Sequence, residues 1–290
     1  MSLNALPQLL LNGFFAGSFY AMMALSWGLI FSTAKIFHFA HALVFTVAAY
    51  GAWMVASQGM PIVGTFIVAA AVGALAGLAI DRGIYRPLRR RNALQLNVFL
   101  ASLGVLLAGE AVIQFVFGVQ ARSIQGFTLS PLRLGRAGFT TLEILVVVVS
   151  WVVIGAVVLF MRTRQGTAIR AVESNPELSR AMGINDEKVY RNVFLVGSAM
   201  AGVGAVLFSL QETASPTMGI EPLIAAFIGA FVGGIGSIGG AILGGLLLGM
   251  MENLGGIFLP GHLQVIVAFL LLFIVLLVRP VGLFARDTKA

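Results

Sequence analysis

Four ionisable side chains stand within or beside the long apolar stretches of this sequence. Glu110 and Glu252 fall inside such stretches, while His38 and His41 lie three residues apart where another one begins. An ionisable group in hydrocarbon costs about 2.5–3.5 kcal/mol on insertion scales, so it usually faces a bundle interior or a water-filled path. The alternative for each acid is a place near an interface or a protonated state. The histidines suit a metal or a proton, but without a further histidine nearby we favour a partnered polar pair.

A glycine-rich run matches a dinucleotide-binding pattern, but the surrounding sequence excludes dinucleotide binding. Gly234, Gly236 and Gly239 match the G-x-G-x-x-G pattern, but dinucleotide binding needs a strand before the pattern and a helix after it in a soluble unit. Apolar membrane sequence precedes it here. No G-x-x-x-x-G-K-[ST] occurs, and no nucleophile, base and metal ligands stand at a meaningful spacing. We therefore expect a chain that is not an enzyme and binds no metal or cofactor of its own.

The composition identifies the environment of these residues. Of the 290 residues, 59% are apolar and 10% are charged, against about 25% charged residues in soluble domains. The apolar residues form unbroken runs, and runs of about 18 or more indicate membrane spans. The net charge of +7 is typical of the cytoplasmic bias of lysine and arginine in membrane proteins, so nucleic acid is not an expected partner. The expected fold is an all-α, polytopic transmembrane bundle in contact with lipid.

The apolar runs predict about eight spans in one domain over residues 1–290. Seven are predicted at roughly 8–30, 41–57, 62–80, 95–117, 142–161, 191–211 and 262–279. The segment 222–258 is too long for one span and forms either two short spans or a re-entrant hairpin. Within it, small residues four apart favour close helix packing, whereas a broken helix at membrane depth is typical of a transport path. The glycines in question are Gly233, Gly234, Gly236, Gly239 and Gly240.

The basic residues predict the orientation. They concentrate in the loop after the third span and in a loop at 162–191, both of which the positive-inside rule assigns to the cytoplasm. The N-terminus is then outside, and Arg279, Arg286 and Lys289 place the C-terminus inside. One loop, 118–140, disagrees, because this predicted external segment contains basic residues and no acid. Those residues are Arg122, Arg133 and Arg136.

The cytoplasmic loop at 162–191 contains the signals of a short capped helix. Its capping residue, first helical position and terminating glycine predict a helix over 176–182. An acid in the first turn and a base in the last suit the helix dipole, and two apolar residues form one edge. In order, these residues are Asn175, Pro176, Glu177, Leu178, Arg180, Met182 and Gly183. The edge can lie on the bilayer, pack on the protein's own spans, or dock into a groove on a partner.

Three motifs make the chain similar to a known family. The stretch GTAIRAVESNPELSRAMGIN, 166–185, resembles the cytoplasmic coupling loop of branched-chain amino-acid ABC transporter permeases. The run GGIGSIGGAILGG, 233–245, resembles that family's glycine-rich segment. Tyr20-Ala-Met-Met-Ala-Leu, followed by Phe39-Ala40-His41, resembles the H-type of the family's two permeases.

The resemblance implies the partners and the location of the chain. It implies a heterodimer with a second, related permease in the bacterial inner membrane, two cytoplasmic ATPase subunits that bind ATP and Mg, and a periplasmic binding protein. The capped helix would fit a cleft on an ATPase subunit, and His41, Glu110 and Glu252 are the expected residues of the translocation path. Where the family commonly has Asn-Phe-Ala-His-Gly and an acid, this chain has HFAHAL at 38–43. Branched-chain amino acids lead as substrates, before other amino acids, urea and short amides.

The competing hypothesis is an ion- or proton-coupled secondary transporter. Glu110, Glu252 and the two histidines would then relay protons. Neighbouring genes for two ATPases, another permease and a binding protein would favour the importer. Uptake that survives ATP depletion but follows a proton gradient would favour the secondary transporter.

Overall fold

The computed structural model describes residues 6–124, 130–134, 137–257, 259 and 263–284. Arg136, Arg286 and Lys289, on which the predicted orientation partly rests, lie outside the described residues, as does residue 258 of the glycine-rich segment. Most of the described chain is helical. The helices are α1 Leu6–Ala34, α2 His41–Ala56, α3 Ile62–Ile80, α4 Arg86–Arg90, α5 Gln95–Phe117, α6 Thr141–Met161, α7 Arg164–Ser174, α8 Pro176–Ala181, α9 Asp186–Gln211, α10 Ile220–Gly233, α11 Ile238–Gly255 and α12 Gln264–Val278.

The number of membrane-length helices is smaller than predicted. Among the described residues, six helices are long and apolar enough to cross a membrane: α1, the continuous segment Ile62–Arg90, α5, α6, α9 and α11. A crossing takes about 20 residues because the hydrocarbon core is about 30 Å thick. The helices α2, α10 and α12 have 16, 14 and 15 residues. By length and composition alone, six of the described helices can cross a membrane, and these three apolar helices are shorter than that length.

The glycine-rich segment consists of two separate helices. Helix α10 ends at Gly233 and α11 begins at Ile238. Between them Gly234 and Gly236 have φ of +105° and +84°, a backbone region that glycine enters at no steric cost. The Ser237 hydroxyl then accepts from the Gly240 amide at 3.0 Å and caps α11. The interruption expected within 222–258 thus lies at 234–237.

The five singled-out glycines have different surroundings. A Cβ on Gly240 would stand 2.5 Å from the carbonyl oxygen of Gly233, and a Cβ on Gly233 would meet the Gly240 carbonyl. These two glycines allow α10 and α11 to approach closely. Gly234 and Gly236 form the interruption itself. Gly239, in the first turn of α11, has open space around it, so neither packing nor chain reversal requires a glycine there.

The segment between α5 and α6, predicted to be a loop, contains two short strands. Strand β1, Pro131–Leu134, pairs antiparallel with β2, Ala137–Thr140, in the register Pro131 to Thr140. Pro131 is the first strand residue, where proline's missing N–H is tolerated. At the end of β2, the Thr140 amide donates to the Glu143 carboxylate at 2.5 Å, and the Glu143 amide donates to the Thr140 hydroxyl at 3.4 Å. This reciprocal capping box starts α6.

The chain forms two compact units. One comprises Met1–Gly28, Thr128–Gly155 and Ile224–Ala290, and the other comprises Leu29–Phe127 and Ala156–Leu223. In the first, Gly17 lies against α11, since a Cβ there would stand 2.9 Å from the Leu246 carbonyl oxygen.

In the second unit, glycines bring α3 and α9 together. A Cβ on Gly73 would stand 2.5 Å from the Ser198 carbonyl oxygen, and one on Gly202 would meet the carbonyl of Ala69. Close backbone approach through small residues is the usual way for helices to associate in lipid. Helices α3 and α9 therefore pack closely against each other in the second unit.

Candidate functional site

The short helix α8 is closed at both ends by its own sequence. The Asn175 side-chain oxygen accepts from the Leu178 amide at 2.9 Å, with Pro176 in the first turn. Beyond the helix Gly183 has φ +82°, and its amide donates to the Arg180 carbonyl at 2.9 Å. The Ile184 amide donates to the Ser179 carbonyl at 3.0 Å, which completes a Schellman motif. The helix ends at Ala181, one residue before the predicted boundary.

The apolar edge of α8 does not pack on the described part of the chain. Leu178 is 57% exposed and Met182 is 74% exposed, which contradicts the alternative of packing on the protein's own spans. Glu177 is also exposed in the first turn. Arg180 does more than suit the helix dipole, because its Nε lies 3.2 Å from the Asp186 carboxylate at the start of α9. Helix α8 therefore presents its edge outwards while its last turn is attached to α9.

Helix α7 precedes α8 and attaches it to the second unit; the prediction from sequence missed it. Its Ile169 and Val172 side chains are fully buried. Gly166 permits the sharp turn from α6, because a Cβ there would overlap the backbone of Met161. The Thr163 hydroxyl caps the helix by accepting from the Gly166 amide at 3.4 Å. The overlooked signal in the sequence was a threonine followed by two apolar residues three positions apart.

Glu173, near the end of α7, lies between this loop and α1. Burial raises the pKa of the Glu173 carboxyl above its usual value, while the Ser32 hydroxyl, Lys35 and Arg170 oppose that rise by favouring the charged form. Ser32 belongs to the last turns of α1. A displacement of α7 therefore changes the environment of this carboxyl, which interacts with the end of α1.

The two histidines belong to a buried polar chain. His38 Nδ1 lies 2.8 Å from the Tyr85 hydroxyl, which donates to Ser102 Oγ at 2.7 Å. Ser102 Oγ also accepts from the Ala40 amide at 3.0 Å. The ring centroids of His38 and His41 are 5.4 Å apart, and both side chains are fully buried. His38 thus has a polar partner, whereas the contact shown for His41 is the one between the two rings. His38 precedes α2, and His41 is the first residue of that helix.

Tyr85 and Ser102 were not found by sequence reasoning. Tyr85 ends a π-helical segment, Asp81–Tyr85, between α3 and α4. The wider turn of a π-helix changes the direction of side chains relative to an α-helix, so ordinary helical spacing does not predict where Tyr85 points. Only the contact with His38, 47 residues away, shows its role.

The two acids predicted to face the interior differ. Glu110 on α5 is 7% exposed, and its Oε1 has no hydrogen-bond partner among the described residues. Glu252 on α11 is partly exposed. Glu110 and His41 belong to the second unit, whereas Glu252 belongs to the first. No single unit therefore contains all three residues.

Membrane-length helices joined by a capped, outward-facing helix define a multi-pass membrane protein. The family model described as branched-chain amino acid transport system / permease component matches residues 9–276. The chain belongs to this family, so the resemblance seen in its motifs is confirmed.

Relatives over nearly the whole chain agree with this assignment. The high-affinity branched-chain amino acid transport system permease protein BraD of Pseudomonas aeruginosa is 33% identical over 295 aligned positions, covering 96% of this chain and 95% of the relative. The corresponding protein LivH of Escherichia coli is 30% identical with the same coverage. A probable LivH of Methanocaldococcus jannaschii is 30% identical, covering 77% of this chain and 73% of the relative.

One solved structure shows the same fold. PsaBC from Streptococcus pneumoniae, in complex with Fab, aligns with a TM-score of 0.55 at 14% identity. The alignment covers 94% of this chain and 93% of that one. At this identity the likeness concerns the fold alone.

Proposed function

We propose that this chain is one of two membrane-spanning permease subunits of a bacterial ATP-driven importer for branched-chain or related amino acids. Family membership and the names of the full-length relatives support this function. Residues 1–290 form one permease domain in the inner membrane, with the N-terminus outside and the C-terminus inside. The shorter helices contribute to about eight crossings.

The proposed assembly supplies what this chain lacks. A second, related permease completes the path, two ATPase subunits bind ATP and Mg, and a periplasmic protein delivers the substrate. The permease contributes no cofactor, contacts lipid and not nucleic acid, and catalyses no covalent step. Its own task is alternating exposure of a substrate path.

The exposed edge of α8 is the observation that carries this proposal. Leu178 and Met182 present apolar surface to solvent on a helix of six residues. Burying a side chain of this size is worth about 1.5–3 kcal/mol, and an amphipathic helix in a groove is a recurring mode of protein recognition. Helix α8, with Asn175 and Gly183 at its ends, therefore docks into a cleft on an ATPase subunit.

The connections of α8 explain how docking moves the spans. The ion pair from Arg180 to Asp186 joins α8 directly to α9, which packs tightly on α3. The buried face of α7, with Ile169 and Val172, carries the same displacement to the rest of the second unit. ATP-driven closure of the ATPase subunits thus acts on α9 and α3 through two rigid connections.

Three residues are proposed for the translocation path. Glu110 is buried with one carboxylate oxygen unpartnered among the described residues, and such an acid commonly faces an interior path. His41 lies beside a buried polar chain, and Glu252 is partly accessible on α11. The interruption at Gly234 and Gly236 resembles the broken helices that surround transport paths.

A double substitution tests the docking role. Leu178→Asp/Met182→Asp keeps the backbone of α8 and replaces its apolar edge with charge. We expect the correctly inserted variant to lose binding of the ATPase subunits and ATP-driven uptake. The matched control is Thr167→Asp/Ser174→Asp, which adds the same charges at exposed positions on α7. Unchanged ATPase binding in the first variant, or an equal loss in the control, contradicts a specific role for the edge.

A further inference from the structure

A second candidate site in the same unit adjoins the ion pair between Arg180 of α8 and Asp186 of α9. A cavity of about 650 Å³ opens where α1 ends, α4 ends, α5 begins and α8 meets α9. Its volume lies within the range of about 300–1,000 Å³ typical of small-molecule sites. Five cationic side chains line it against two acids. The cations are Lys35, Arg86, Arg89, Arg90 and Arg180, and the acids are Asp186 and Glu187.

The two acids do not neutralise all of this positive charge. Glu187 contacts both Arg86 and Arg90, the latter with Nε at 3.0 Å from Oε1. Arg89 donates from Nη2 to Asp81 at 2.7 Å and lies over the Tyr190 ring. Arg86 and Arg90 therefore share a single carboxylate, and the cavity lining carries more positive than negative charge, which suits an anion.

The backbone around the cavity is also unusual. Among the residues that the structure describes, the non-glycine residues with left-handed φ are Lys35, at 55°, and Asn92, at 46°. Both line this cavity. The Gln95 side chain, which also lines it, donates to the Lys35 carbonyl at 3.2 Å and holds that conformation. Both residues follow helix ends: Lys35 comes directly after α1, and beyond α4 the Asn92 amide donates to the Arg89 carbonyl and the Ala93 amide to the Leu88 carbonyl. These helix C-caps bring the two residues to the edge of the cavity.

Part of the remaining cavity wall is apolar and belongs to the membrane-length helix α5. Val98 and Phe99 of α5 line the cavity, and Leu96 and Leu100 on the same helix are exposed. The apolar run of α3 ends at Ile80, shortly before the arginines of α4. The cavity therefore lies where two apolar helices meet the membrane boundary.

We propose that this cavity binds the phosphate-bearing headgroup of an anionic membrane phospholipid, with its acyl chains along α5. Arginine is suited to this role because its planar fork donates two parallel hydrogen bonds to phosphate oxygens. Basic cavities at the ends of membrane helices bind anionic headgroups in this way. A soluble phosphate ester offers the same charge to the arginines but nothing to the exposed apolar face of α5.

Lipid retention measured by native mass spectrometry tests this site. The full-length chain in a neutral detergent is mixed with phosphatidylglycerol, with phosphatidylcholine of the same acyl chains, or with glycerol 1-phosphate. We expect selective retention of phosphatidylglycerol, weakened about tenfold or more in Arg86→Gln/Arg90→Gln because two cations near the phosphate are lost. The control Arg162→Gln/Arg164→Gln removes two exposed arginines that do not line the cavity and should retain the lipid as the unchanged protein does.

Three outcomes overturn the proposal. Retention of phosphatidylcholine equal to that of phosphatidylglycerol shows that binding does not depend on the headgroup charge. Equal retention of phosphatidylglycerol by the cavity variant shows that Arg86 and Arg90 are not involved. Binding of glycerol 1-phosphate as tight as that of phosphatidylglycerol assigns the site to a soluble anion. The comparison of the three probes on the unchanged protein decides the question even if the cavity variant does not insert.

Discussion

Removing the cap of α8 changes the stability of this helix and leaves its apolar surface unchanged. In Asn175→Ala the Leu178 amide loses the side-chain oxygen that accepts its hydrogen bond at 2.9 Å. Loss of such a cap costs about 1 kcal/mol, within a range of about 0.5–2 kcal/mol. Since α8 has six residues, this loss is large relative to its own hydrogen bonds. The opening equilibrium of α8 should rise about fivefold.

Amide hydrogen exchange of the membrane-embedded chain measures this change. The amides of residues 178–184 should exchange about fivefold faster in Asn175→Ala, while the buried part of α7 around Ile169 and Val172 keeps its protection. Asn175→Ser is the matched control, because serine supplies a capping oxygen and restores most of the protection. Unchanged exchange in Asn175→Ala, or equal acceleration in α7, would refute an independently capped docking helix.

Two further substitutions test the packing of the second unit. Gly202→Ala places a Cβ against the carbonyl of Ala69, so the free energy of unfolding, measured by thermal unfolding in detergent, should fall by about 1–3 kcal/mol. The control Gly104→Ala, which meets open space on α5, should be neutral or stabilising. Equal effects of the two substitutions would contradict the close α3–α9 contact. Tyr85→Phe removes the hydroxyl between His38 and Ser102 and should cost about 1–3 kcal/mol; an unchanged unfolding midpoint would show that the polar chain contributes nothing to stability.

Features set by local interactions could be predicted from the sequence. The cap at Asn175, Pro176 after it and Gly183 beyond the helix act within one turn of chain, and α8 ends within one residue of its expected boundary. The interruption at Gly234 and Gly236 is likewise local, because it depends on the backbone freedom of these two residues. In both places a few neighbouring residues determine the hydrogen bonds or the dihedral angles. The sequence is therefore enough to predict the local structure.

Features that depend on distant contacts could not be predicted. The π-helical segment directs Tyr85 towards His38, and no periodic pattern encodes that distortion. Arg122 suggested a misplaced basic loop, but its backbone pairs with Ala214 and its guanidinium lies 5.0 Å from the ring centroid of Trp53. An arginine bound in this way is a structural residue as well as a charge. Arg122 is therefore weaker evidence against the external position predicted for the loop 118–140.

The basic cavity is a further feature that could not be predicted from the sequence. The sequence shows the arginines of 82–91 only as a charge cluster that sets orientation. Their convergence with Lys35 and with Arg180 depends on how α1, α4 and α8 meet within the second unit. The sequence pattern predicts a cytoplasmic position for these charges, and the fold brings three of them, Arg86, Arg89 and Arg90, to one cavity.

ATP-driven uptake in proteoliposomes tests the central claim most directly. The chain is reconstituted with its partner permease, two ATPase subunits and the binding protein, and uptake of labelled leucine is followed with ATP or with a proton gradient alone. We predict uptake that requires ATP and the binding protein, is lost in Leu178→Asp/Met182→Asp, and is retained in Thr167→Asp/Ser174→Asp. Uptake by this chain alone, driven by a proton gradient without ATP, would contradict the account.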